Sequence, residues 1–402
     1  MLNRAHQPSV LVVVCALVCC GAIAAQGQTS VSELQNALNN QQGGFTETDF
    51  AALQRGETVV KLAPAQDKRE VAVAGLVSLR ATAEEFLRSY RESLTKKNNG
   101  AVMEIGSFGA VPALADLQNL TLEARDIEDL KGCTAGDCQI KLSAAMIERF
   151  ANEVNWQAPD CAQQATQLFR TILLEYVTDY RARGDLALIH YGDKSNEVRL
   201  AEEHAALTKA SGFLNEVFGP AGLNSELKPV EELIVWSKIK FGLKPVIAIN
   251  HVTIYKLERE LGPQVLAVSK QLYANHYFNA SLALTAFVTL PGPTSFLVYE
   301  NRSRADGLEG PFSKLKRSVV EKKAVQGLKG VLENSKLTLE APLFARESAT
   351  VSASPVEGWG RRLFGGVRPL LWLLVISAVI ALIVLRNYEG KTNRAGVKEI
   401  NP

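Results

Sequence analysis

The stretch from Gln264 to Glu340 constrains this chain more than any other, because it reads as two long strands, a shorter third and a helix long enough to cross them all. In the first strand Leu266, Val268, Leu272, Ala274 and Phe278 fall on one face and Ser269, Gln271, Tyr273, Asn275 and Tyr277 on the other, the two-residue period of a half-buried strand. The second repeats the pattern, with Leu282, Leu284, Ala286, Val288 and Leu290 opposite Ser281, Thr285 and Thr289. A hairpin turning at Asn279-Ala280 is expected. After Pro291-Gly292-Pro293 a third strand, Ser295 to Arg302, returns, and from Pro311 the period becomes helical through Phe312, Leu315, Val319, Leu328, Val331 and Leu332. The result is an α+β unit, an antiparallel sheet gripped by a long C-terminal helix.

Ahead of it, Glu57 to Ala63 and Glu70 to Leu79 are apolar, β-branched runs split by Gln66-Asp67-Lys68-Arg69, the pattern of a hairpin. Thr82 with Glu85 three residues on caps a helix carrying Phe86, Leu87 and Tyr90. Val102 to Phe108 reads as a short strand and Thr121 to Lys131 as a helix. Asp160 opens a long helix with Ala165, Leu168, Phe169, Ile172, Leu173, Tyr176, Val177 and Tyr180 at three- and four-residue steps, closed by Gly184. A further helix is expected over Glu197 to Ser211, then strands over Glu232 to Phe241 and Val246 to Leu257. The expected body is one α+β domain over 57–340 with a helical middle at about 114–211.

Glu57-Thr58-Val59-Val60-Lys61-Leu62 before a capped helix, and Tyr299-Glu300-Asn301-Arg302 leading through Gly307, Gly310 and Pro311 into the helix to Leu332, stand in a telling order. A strand pair, helices, a run of strands and one long closing helix resemble the helix-grip arrangement of START-like lipid- and ligand-binding domains. The resemblance implies a helical insertion in that fold and a ligand held between sheet and closing helix. It carries over no residue roles.

The two ends predict a location. Arg4, the uncharged run from Val10 to Ala25 and the small residues Ala22-Ile23-Ala24 read as a signal peptide over 1–25, with an uncleaved anchor as the alternative. A leader follows over 26–56. Pro369 to Leu385 carries no charge between Arg368 and Arg386, and its 17 residues would rise about 26 Å as a helix. It is expected to be a transmembrane helix over 367–386, against a buried core helix as the alternative. With 341–366 as linker and 387–402 as cytoplasmic tail, the chain reads as a single-pass membrane protein of the cell envelope with an exocytoplasmic body.

Net charge is +2, from 44 basic and 42 acidic residues, so no global field favours nucleic acid. Cys133 and Cys138 flank Thr134-Ala135-Gly136-Asp137 and read as a structural disulfide closing a tight loop, with redox chemistry as the alternative. Cys161 is then a buried thiol or a competitor for either partner. His190, His204, His251 and His276 are scattered, none at metal-ligand spacing, and read as hydrogen-bonded core or cavity histidines. No metal site, cofactor or catalytic residue is predicted. There is no Gly-x-Ser-x-Gly elbow and no phosphate loop, so the reading leans away from an enzyme.

Tyr273, Asn275, Tyr277, Asn301, Arg302, Arg304 and Asp306 are polar groups in or just after the closing strands. They are a solvated face or, if the last helix spans a hollow, the polar contacts of an apolar pocket. The expected function is non-catalytic binding of a lipid or other apolar ligand between sheet and C-terminal helix, by a membrane-anchored domain. The alternative is a structural or assembly module of an envelope complex acting through protein contacts.

Overall fold

The computed structural model describes residues 44–95, 101–219, 228–240, 244–257, 262–290, 292–308 and 312–351. Helix α1 (Glu47–Gln54) precedes β1 (Val59–Leu62) and β2 (Glu70–Leu79), and α2 (Ala83–Thr95) leads to β3 (Val102–Phe108). A run of helices intervenes: α3 (Ala124–Lys131), α4 (Ala144–Glu153) and α5 (Cys161–Arg183). A two-residue strand pair follows, β4 (His190–Tyr191) with β5 (Val198–Arg199), then α6 (Leu200–Lys209) and α7 (Gly212–Phe218). The chain returns to sheet with β6 (Glu231–Ile239), β7 (Val246–Lys256), β8 (Gly262–Ala274), β9 (Phe278–Thr289) and β10 (Ser295–Ala305), and ends in α8 (Ser313–Val351). α8 therefore runs into the stretch expected to be linker.

Eight strands form one antiparallel sheet in the order β1-β2-β10-β9-β8-β7-β6-β3. Successive strands from β6 to β10 pair as hairpins, and the early strands are added at the two ends, β2 against β10 and β3 against β6. Long closures of this kind lose chain entropy only slowly with length. The reward is a sheet wide enough to carry a helical layer on each face.

On one face α2 and α8 bury Phe86, Leu87, Tyr90, Val320, Ala324, Leu328, Val331 and Leu332 against Val73, Val77, Val265, Phe287 and Leu297. Thr82 caps α2 as its spacing predicts, its backbone N–H bonded to Glu85 and its hydroxyl accepting the Glu85 N–H at 3.2 Å. Gly75 lets α8 come close, since a Cβ there would lie 2.6 Å from Leu332 Cδ1 and 3.1 Å from Leu328 Cδ2. On the other face α1 and the inserted helices bury Phe50, Leu53, Phe150, Phe169, Ile172, Leu173 and Val177 against Leu76, Ile249, Leu266, Val268 and Leu282. The helical middle is thus the second cover of the same sheet.

Three expectations need correction. The alternation predicts half-buried strands under a single helix, a START-like helix-grip; the strands are buried on both faces, because helices cover both. Where α8 crosses β2 the expected hollow is filled by Leu328 and Leu332. The β8–β9 turn lies at Asn275, His276 and Tyr277, earlier than expected, with Tyr277 in the left-handed region at φ 63°. The third correction concerns the membrane. Among the described residues no helix is long and apolar enough to cross one. The runs at Val10 to Ala25 and Pro369 to Leu385 lie outside the described residues. A single-pass membrane protein with a carboxy-terminal span and a cytoplasmic tail is therefore not supported, and the α+β class stands without it.

Cys133 and Cys138 are bridged, with Cα atoms 4.5 Å apart, and Cys161 is free and half-buried. Gly136 at φ 86° makes the turn inside the ring, and its N–H donates to Gly192 O at 2.8 Å. So short a ring constrains the unfolded chain by only about 2 kcal/mol. Its work is local, pinning the loop before α4 against the β4 segment.

Candidate functional site

One irregularity on β8 places Tyr273, the first of the seven polar residues singled out in the closing strands. Asn250 pairs with Gln271 but Ile249 pairs with Tyr273, so Leu272 is an extra residue on β8, a β-bulge. Beyond it the alternation slips by one, and Tyr273 turns into the core beneath the inserted helices. Its hydroxyl donates to Lys141 O at 2.9 Å. Asn275 is fully buried and accepts the Ile247 N–H at 2.8 Å, and the Tyr277 hydroxyl accepts the Lys244 N–H at 3.1 Å. Asn301, on the α8 face, donates to Ser281 Oγ at 3.1 Å and Leu282 O at 3.2 Å. Arg302 and Arg304 point the other way, with Phe296 and Val298. Arg302 binds Glu70 and Glu300, and Arg304 binds Asp67 and, at 3.2 Å, Glu203. Asp306 accepts from Lys141 Nζ at 2.7 Å.

These residues are therefore not brought together on one cavity. Arg302 alone among them lines a space of about 110 Å³ beside Ser211, Phe213 and Glu300. His276 sits in the β8–β9 turn with its Nε2 3.0 Å from Asp126 Oδ1. Among the described residues no three His, Cys, Asp or Glu side chains converge as a metal site requires.

A larger space opens on the face away from α8. It is a cleft of about 720 Å³ between the sheet, on β6 to β9, and the end of α5 with α6 and α7. The register of α6 makes it. Leu200, Glu203, His204 and Leu207 are buried, and Ala201, His204, Ala205 and Thr208 line the cleft at the i, i+3, i+4, i+7 spacing of one helix face. Two alanines on that stripe leave the volume open. Across from them stand Glu232, His251, Thr253, Tyr255, Val268 and Leu282.

The histidines of the cleft are held neutral. β8 leaves β9 beyond Lys270, the last residue to pair with it, so backbone carbonyls there need other partners. Tyr176 donates its hydroxyl to Leu272 O at 2.7 Å, and His204 Nε2 lies 2.7 Å from Gln271 O. A carbonyl only accepts, so Nε2 carries the hydrogen and Nδ1 of the neutral ring is a bare lone pair. That Nδ1 is buried and has no partner. Desolvation pushes the His204 pKa down to about 3, aided by Lys270. His251 Nδ1 lies 3.0 Å from the Tyr180 hydroxyl, and its Nε2 lies 3.5 Å from Glu232. The carboxylate favours the hydrogen on Nε2, so Tyr180 is the donor to Nδ1. Burial lowers the His251 pKa against the pull of Glu232 and raises that of the Tyr180 phenol. Lys270 is tied to Asp185, with Nζ 2.6 Å from Oδ2.

The sign of the resulting pH dependence follows. An unfolded histidine takes up a proton near its ordinary 6.5, whereas folded His204 resists until about 3, so the unfolded state binds more protons between these values. The contribution of His204 to stability is complete above 6.5 and is lost as pH falls towards 3, and His251 adds in the same direction. Urea midpoints taken at about pH 7 and about pH 5.5 should fall on acidification, by less in His204→Gln. Equal drops in both proteins would show that His204 is not a buried neutral ring.

Fold and cleft together define a three-layer α/β/α protein with a side cleft of a size suited to a small organic ligand. Comparison with protein-family models, with curated proteins and with solved structures finds no match.

Proposed function

We propose that this chain is a binding protein that takes a small organic molecule into the cleft between its sheet and the inserted helices α5 to α7. One observation carries the reading: about 720 Å³ of space is walled by apolar Val268, Leu282, Ala201 and Ala205 and by a larger set of polar and charged side chains, of which Tyr180, His251, Lys270 and Asp185 have hydrogen-bond directions set by one another. The site lies on the face of the sheet opposite the one expected from the alternation. Tyr180 is held protonated, Lys270 is engaged by Asp185, and burial disfavours the charged form of both cleft histidines.

Native mass spectrometry of the full chain purified from its host tests this. The expected spectrum contains the chain plus the mass of one small molecule, lost on denaturation. A bare mass, unchanged after incubation with the small-molecule fraction of the same cells, counts against binding and favours an assembly module working through protein contacts.

A further inference from the structure

The amino-terminal end of α8 presents a second surface, separate from the cleft because α8 lies on the other face of the sheet. Between residues 312 and 329 the chain carries Lys314, Lys316, Arg317, Lys322, Lys323 and Lys329 against one carboxylate, Glu321, which Arg317 holds at 2.7 Å. Arg317 also donates to Lys68 O at 3.1 Å and Glu70 O at 2.8 Å, so the β1–β2 turn adds Lys68 to the same end of the helix. Lys68, Lys314 and Lys322 are exposed, Lys323 is half-buried, and none of the four makes an ion pair among the described residues. Charge is not alone there. Val320, Ala324 and Leu328 face the sheet, whereas Phe312, Leu315 and Val319 follow one another at three- and four-residue steps on the outer side. Phe312 is 65% exposed and Leu315 59%. Phe312 also holds a left-handed backbone, φ 61°, which bulky residues rarely adopt.

We infer that this end of α8 docks on an anionic phospholipid surface, lying along it without crossing it. Phe312 and Leu315 enter the headgroup layer, and the lysines meet the lipid phosphates and carboxylates. The two halves of the patch answer to the two parts of such a surface. A nucleic acid would satisfy the lysines and leave Leu315 and Val319 in water, whereas an apolar protein groove would strip water from the ammonium groups and return no counter-charge. Lysine stems reconcile the two depths, because they lie along apolar surface while their ammonium ends stay among the headgroups.

Co-sedimentation of the full chain with vesicles tests this, using phosphatidylcholine alone and phosphatidylcholine mixed with phosphatidylserine. The readout is the preference for the mixed vesicles, since any affinity supplied by the rest of the chain is common to parent and variants. Lys314→Gln, Lys322→Gln and Lys323→Gln together should cut that preference at least about tenfold, each lysine at such a surface being worth roughly fivefold. High salt should do the same to the parent. Phe312→Asn with Leu315→Gln keeps every charge, keeps a residue that tolerates the left-handed backbone and removes no core contact. It should weaken binding to the mixed vesicles about tenfold. Val111→Ser and Lys131→Gln, equivalent losses at exposed positions away from α8, should change neither quantity. Urea midpoints equal to that of the parent certify the variants as folded. A parent without the preference, or a preference that survives both sets of substitutions, overturns the assignment. So does a loss confined to the lysine variant while the Phe312 and Leu315 variant binds as the parent does, a pattern that would assign the patch to a polyanion and that binding of a single-stranded oligonucleotide would confirm.

Discussion

Arg302→Ala is expected to remove about 3–5 kcal/mol of folding free energy, the usual cost of stranding buried carboxylates by deleting their counter-ion. The arginine is 4% exposed and donates to Glu300 Oε1 at 2.8 Å, to Glu70, which is wholly buried, and to Pro64 O at 3.0 Å. Both carboxylates are otherwise committed. Glu70 accepts the Gln66 N–H and Glu300 the Ser211 hydroxyl, so neither can turn to water without breaking a second bond. The network also reaches across layers, because Ser211 caps α7 while Glu300 sits on β10. Urea unfolding measures the loss. A control separates charge from packing: Arg302→Met alone should be nearly as damaging, whereas Arg302→Met with Glu70→Gln and Glu300→Gln should recover most of it, since no buried charge is then unpaired. A single methionine variant as stable as the parent would remove the network as a source of stability. The same triple variant should bind ligand normally, for Arg302 does not line the cleft.

Ala205→Trp should abolish uptake, lowering affinity at least about a hundredfold, or roughly 2.7 kcal/mol. Ala205 faces the cleft from the middle of α6, one turn from Ala201 and next to His204. An indole there occupies the space between α6 and the β8–β9 wall. Because Ala205 is exposed, the substitution removes no core contact, and stability should stay within about 0.5 kcal/mol of the parent. Val111→Trp, at an exposed position that does not line the cleft, is the matching control and should bind as the parent does. Ligand retained by folded Ala205→Trp would place the site elsewhere.

Part of the cleft was legible in advance. His204 and His251 read as core or cavity histidines, and both line it. The α6 stripe of Ala201, His204, Ala205 and Thr208 is also visible as a spacing, yet small residues on a helix face do not say whether a partner fills the gap they leave. Tyr273, Asn275 and Tyr277 were grouped by alternation and the bulge at Leu272 turned Tyr273 off that face, whereas Asn301 and Arg302, neighbours on β10, face opposite sides of the sheet. A bulge depends on two strands and cannot be read from one. Asn279 and Asn301 illustrate the same limit: each stands in a glycosylation sequon, and each is fully buried within the sheet.

Local chemistry alone specified the elements: the early hairpin, the capped α2, the long α5, the run from β6 to β10 and the closing α8. Their periods and caps act between residues a few positions apart, so the sequence contains them directly. What covers each face of the sheet, and hence where a cleft remains, was decided only by tertiary structure. Alternation tells which side chains share a face, but β2 and β3 join the sheet across long connections, and the inserted helices settle on the side that α8 leaves bare. Burial is a property of the pair of surfaces, and the second surface comes from a distant part of the chain.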